Sequence, residues 1–147
     1  MSDSAALRTS LVEQLHHLID EVEASRSVLD DVPDEVLERR PRAEDRTVKE
    51  LYASIAAYDL DILLPWLGGE SNDPAPATGQ SIGHILSRVQ MARRLLLRHV
   101  ESIPIERWDR MTPFEGRPVD LYGALHMVTQ RNVDTLRAIA RRLYRSP

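Results

Sequence analysis

Apolar residues recur along this chain at a helical spacing in four separate stretches. Leu7, Leu11, Leu18, Val22, Ser25 and Leu29 share one stripe at the 3.6-residue period. This predicts a first helix from about Ala5 to about Leu29, with Ser2 or Ser4 available to cap it. Pro33 followed by Asp34 and Glu35 is a helix-start signature, with proline at the first helical position and acids favoured by the helix dipole. It predicts one or two turns over Val32 to Arg39, stopped by Pro41. Thr47 and Glu50 form a T-x-x-E capping box that opens a second long helix with its stripe at Leu51, Ile55, Tyr58, Ile62 and Trp66. Pro65 is expected to bend its last turn before Gly68 and Gly69.

The composition then changes to Gly, Ser, Asn, Asp and Pro from Gly68 to Gln80, which cannot bury apolar area and reads as a crossover loop. A third helix is predicted after Ser81 and on to about Val100, with Ile82, Ile85, Val89, Leu96 and Val100 facing inward. Met91 and Leu95, with His84, lie opposite that stripe, so the back of this helix is expected to serve as a homodimer interface. Pro104 to Met111 reads as a short turn of helix carrying Trp108. Pro113, Gly116 and Pro118 mark a loop before Asp120 caps the fourth helix, whose stripe is Leu121, Leu125, Val128, Ile139 and Leu143. Four such helices and no convincing run of strands predict an all-α four-helix bundle with a long crossover loop and short extra helical turns.

Length and charge narrow the function classes. At 147 residues the chain reads as one domain over residues 1–147. Such a domain buries roughly two-thirds of its unfolded surface and needs no disulfide or structural metal to fold. It has no cysteine, which excludes thiolate metal sites and a cysteine nucleophile, so any thiol chemistry belongs to a partner. A net charge of −4 gives no footprint for nucleic acid, which demands a basic face. The most apolar window, Ile55 to Leu67, is short and interrupted by Asp59 and Asp61, so no membrane partner is expected. The opening MSDSAALRTS lacks a basic region followed by an apolar run, and the expected compartment is the cytoplasm. No G-x-S-x-G, H-E-x-x-H, P-loop or dinucleotide fingerprint is present.

The run from Val32 to Leu67, VPDEVLERRPRAEDRTVKELYASIAAYDLDILLPWL, puts a short acidic helix and a Pro-marked loop ahead of a long amphipathic helix. In this it resembles the DinB-like (DinB/YfiT) superfamily of four-helix bundles. The resemblance extends from about Leu7 to Leu143. It implies a divalent metal held inside the bundle by one histidine on the second long helix and an H-x-x-x-H pair on the fourth. Residues at i and i+4 share a helix face, so two imidazoles can chelate one ion while a third arrives from a neighbour. Matched to this pattern, Ser54 takes the first ligand position, Arg131 and Thr135 take the paired positions, and Ala138 replaces a frequent glutamine. None of the three is histidine.

Helical geometry places Ser54 roughly 70° from the middle of its stripe, Thr135 roughly 50° and Arg131 roughly 90°. These are margins of the core, and the resemblance therefore implies a vestigial polar pocket lined by Ser54, Asp59, Asp61, Arg131, Asn132 and Thr135. Asp59 and Asp61 flank their stripe on opposite sides, Asp61 on the side of Ser54, while Asn132 falls near the centre of the fourth helix's stripe. Such groups must find hydrogen bonds, and the expected ion pair is Arg131 with Asp61, or with Asp59 as second choice. Left unpaired, Arg131 suits a carboxylate or phosphate.

The histidines read as surface residues. Glu13, His17 and Glu21 share one flank of the first helix at i, i+4 and i+8, a spacing that also fits metal ligands but is the ordinary arrangement of a solvated face. His16 lies beside them, and His84 and His99 read as surface or interface positions. His126 is the natural relocated ligand but projects outward. The expected function is a metal-free small-ligand-binding or scaffold homodimer. The competing expectation is a metal-dependent hydrolase, or a transferase or isomerase using bacillithiol or mycothiol, with zinc or nickel held by a relocated set such as His126 and Asp59.

Overall fold

The computed structural model describes residues 3–70 and 79–144. Ser2 and most of the predicted crossover loop, residues 71–78, lie outside the described residues. α1 spans Asp3–Asp30 and α2 is the single turn Asp34–Leu37, with Pro33 at its N-cap rather than at its first position. α3 (Val48–Tyr58) continues without a break through a π turn (Asp59–Leu63) into α4 (Leu64–Trp66). α5 spans Ile82–Ser102 and α6 spans Leu121–Tyr144. Among the described residues no helix is long and apolar enough to cross a membrane.

Local chemistry sets the helix starts. Thr47 Oγ1 accepts from the Glu50 N–H at 3.0 Å while Glu50 accepts from the Thr47 N–H at 2.9 Å, the reciprocal pairing that the T-x-x-E spacing predicts. Ser81 accepts from the His84 N–H at the start of α5, and Asp120 from the Gly123 N–H at the start of α6. The chain's single lysine, Lys49, is buried in the first turn of α3. It donates to Glu38 at 3.0 Å and to the Gln80 carbonyl at 2.8 Å, which pins the residues after α2 and the approach to α5 onto one side chain.

The chain direction of each helix follows from its contacts. Arg26 of α1 reaches Gly83 and Gln90 at the start and middle of α5, whereas Arg8 reaches Glu101 at its end, so α1 and α5 are antiparallel. α3 and α5 run together, since Lys49 meets Gln80, Asp59 meets Arg93 and Leu67 meets His99. α6 opposes α3, with Arg131 over Tyr58 and Arg142 donating to the carbonyls of Arg39 and Arg46 just before α3. The topology is up, down, down, up. α5 packs against α1 and α3, and α6 closes the other two sides. The parallel pair α3 and α5 is the one that demands a crossover, at the Gly68–Gln80 segment where the composition predicts it.

Two departures from the predicted pattern have identifiable causes. In α1 the inner stripe is Leu11, Leu15, Leu18, Ile19, Val22 and Leu29, with Leu7 exposed. At that level Arg8 lies over the Trp108 ring, and Leu7 is turned away. In the second long helix the stripe passes from Ile55 to Leu63 instead of Ile62, which is 40 % exposed. The π turn supplies the extra residue that moves the register: the Leu64 N–H bonds to the Asp59 carbonyl five residues back. Pro65 accounts for its position, because proline cannot donate to Asp61 and its ring crowds that carbonyl.

A hairpin, read from the sequence as a loop, joins α5 to α6. β1 (Thr112–Phe114) and β2 (Arg117–Val119) pair antiparallel around Glu115 and Gly116, whose φ angles of 51° and 83° give the twist of a two-residue hairpin turn. Pro113 faces Pro118 at the pair where a hairpin of this register makes no ladder hydrogen bonds, so neither proline costs one. Trp66 donates to the Pro113 carbonyl at 2.8 Å and packs on Phe114, while Trp108 is fully buried beneath.

Candidate functional site

The apolar interior is divided into two clusters. One is built around Val22, Leu37, Tyr52, Ile55, Leu86 and Val89, the other around Leu15, Leu63, Leu96, Trp108, Leu125 and Val128. Between them lies a polar layer to which all four long helices contribute. Arg93 of α5 is 0 % exposed, and its Nε donates to Asp59 Oδ2 at 2.8 Å and its Nη2 to Asp59 Oδ1 at 3.2 Å. Nη2 also donates to Asn132 Oδ1 of α6 at 2.7 Å, and Nη1 to the Leu15 carbonyl of α1 at 3.2 Å. Asp59 opens the π turn and is 1 % exposed.

A buried carboxylate or guanidinium alone carries a desolvation cost of several kcal/mol. The fork-to-fork geometry offsets that cost by placing two parallel bonds on one carboxylate. No buried side-chain nitrogen or oxygen among the described residues lacks a hydrogen-bond partner. A second polar string lies one turn away along α5. There Gln90 accepts from Arg26 at 2.7 Å and donates to the Ile19 carbonyl and to Glu23.

The structure pairs the predicted residues differently from the sequence reading. The expected partner of Arg131, Asp61, is exposed, and Asp59 belongs to Arg93. Arg131 is itself exposed and places its guanidinium 4.2 Å from the centre of the Tyr58 ring, a cation–π contact. Asp59, one residue beyond Tyr58, is turned toward α5 instead. Tyr58 in turn donates to Glu115 at the hairpin tip at 2.6 Å, and burial first, then that carboxylate, pushes its hydroxyl pKa well above the usual tyrosine value. Ser54, one turn before Tyr58, donates to the Leu51 carbonyl of its own helix at 2.6 Å. Thr135 is half-buried on α6.

Arg93 is the member that the sequence reading missed. The signal was present: 82, 85, 89, 93, 96 and 100 is one unbroken helical stripe, and an arginine in it is a buried arginine. His16, His17, His84 and His126 are exposed. His99, expected at the surface or an interface, is half-buried with Nε2 2.9 Å from the Leu67 carbonyl. Among the described residues no three His, Asp or Glu side chains gather as metal donors.

The fold and the layer together define an up-down-down-up helical bundle whose middle is tied by a buried ion pair. The sequence profile of the DinB superfamily matches residues 21–131, which is most of the chain. The protein belongs to the DinB superfamily. No curated protein and no solved structure matches it.

At Ser54, Arg131 and Thr135, the positions that the resemblance matches to metal donors, stand two hydroxyls and a guanidinium. Ser54 is engaged with its own backbone, Thr135 is a neutral hydroxyl, and Arg131 is a permanent cation. A second positive charge beside a guanidinium is opposed by their mutual repulsion.

Proposed function

We propose that this DinB-superfamily bundle works by binding a small ligand, as a homodimer and without the divalent metal, rather than as a hydrolase. The observation that carries this reading is the guanidinium of Arg131 against Tyr58, since the resemblance matches Arg131 to one of the paired ligand positions. The Arg93–Asp59–Asn132 layer supports it, since a closed ion pair provides the cross-helix tie that a bound ion otherwise makes. Ser54, Thr135 and Arg131 are the remnants of the ligand set in this reading, and Asp61 is a solvated residue beside them. The relocated set of His126 and Asp59 loses its support, because both oxygens of Asp59 are taken by Arg93 and His126 is exposed.

Elemental analysis of the purified protein, together with a thermal melt in added zinc or nickel, tests this. The expected result is no stoichiometric metal and an unchanged melting temperature. One ion per chain, or a clear upward shift of the kind that native-state binding produces, would overturn the reading.

A further inference from the structure

We propose that the groove between α1 and α6 binds a small organic cation that also carries a carbonyl oxygen. This rests on the ligand-binding reading above and gives it a site. The groove has a volume of about 340 Å³, at the small end of ligand pockets. Its floor holds Asn132 and Thr129, its wall Leu136, and its α1 rim Glu13, His17 and Glu21.

Asn132 is the anchor of the argument. It is 8 % exposed, and Arg93, which can only donate, fixes its Oδ1 inward. Its Nδ2 lies on the other arm of the amide. Among the described residues no group accepts from that nitrogen, yet it is not a buried orphan, so it retains some surface, and Asn132 lines the groove. The result is an amide donor held at fixed orientation by the ion-pair layer, without a protein partner. Such a donor selects an acceptor, and a carbonyl oxygen is the commonest one. Thr129 spends its proton on the His126 carbonyl at 2.8 Å, which leaves its oxygen to accept. Above them, Glu13 and Glu21 stand two turns apart on the rim, about 12 Å along the helix, on either side of His17. Neither glutamate has an ion-pair partner among the described residues. Two free carboxylates above an acceptor hydroxyl, with an apolar wall, favour an ammonium or guanidinium group on a short aliphatic body.

The test uses isotope-labelled full-length protein and three probes: ε-aminocaproamide, which has both groups, hexylamine, which has only the ammonium, and caproamide, which has only the carbonyl. The Asn132 side-chain amide signals are expected to move saturably with ε-aminocaproamide, which binds about fivefold more tightly than either single-group probe. Glu13→Gln/Glu21→Gln weakens it about tenfold, the effect of about one charge-assisted contact. Asn132→Asp keeps an oxygen for Arg93 but removes the donor, so ε-aminocaproamide loses its advantage over hexylamine. Both glutamates are exposed, and the Gln variant therefore decides the matter even if Asn132→Asp does not fold. Unmoved Asn132 signals, or equal binding by the Gln variant, would overturn the groove as the site and leave the metal-free reading standing. A stoichiometric metal in the same sample would overturn that reading instead.

Discussion

Arg93 is the one charged member of α5's inner stripe, and its effects can be followed outward atom by atom. Its fork takes both oxygens of Asp59, so Asp59 cannot reach Arg131, and Arg131 lies against Tyr58. Tyr58 then has its hydroxyl on Glu115. This chain of placements makes a pH prediction. Burial and the Glu115 carboxylate both favour the neutral phenol, and raise its folded pKa above the ordinary value of 10.0. The unfolded chain therefore releases that proton first. The associated stability is whole below pH 10.0 and is lost progressively as the pH rises beyond it. In a near-ultraviolet titration, Tyr58→Phe should abolish a late tyrosinate step and lessen the alkaline loss of stability. An unchanged titration curve would refute the placement of Tyr58. Of these residues the sequence identified Asp59 and Asn132 as polar groups near the core, because their offsets from the apolar stripes are readable. It could not reveal their partner, because partner choice depends on which helix faces which flank.

The elements divide in the same way. Helix starts were legible where a side chain caps the backbone locally: Thr47 with Glu50 and Asp120 cap as their spacing predicts, and the helix expected after Ser81 begins there, with Ser81 as its cap. The π turn was not legible, although Pro65 was, because the sequence shows a missing donor but not how the backbone accommodates it. That one turn decides whether Leu63 or Ile62 faces inward. The hairpin escaped notice because its strands are three residues long, each with a proline, and its turn asks Glu115 to adopt a positive φ. The proposed homodimer would use the outer face of α5. Met91 is 53 % exposed and Leu95 37 %, a pair of large apolar side chains one turn apart on a helix that already buries its other face. Sedimentation at two concentrations is expected to give a dimer for the native chain and a monomer for Met91→Asp/Leu95→Asp. An unchanged mass in the variant would remove this face from the interface.

For the molecule as a whole, the family and the bundle were readable, and the chemistry of its middle was not. The crossover between parallel α3 and α5 follows from a stretch of Gly, Ser, Asn, Asp and Pro too long for a tight turn. That the core comes in two halves with an ion-pair layer between them is a property of four helices at once, and no single stripe contains it. Replacing such a layer by well-packed apolar residues is often neutral or stabilising, whereas removing one partner strands a buried charge and is severe. A buried ion pair ties the four long helices of this bundle together. Denaturant unfolding of Arg93→Met, Asp59→Leu and the double variant is the decisive experiment. Each single change is expected to cost about 3–5 kcal/mol by stranding a buried charge, and the double variant to recover most of that loss. Single variants within about 1 kcal/mol of the native chain, or a double variant as poor as the two losses added, would contradict it.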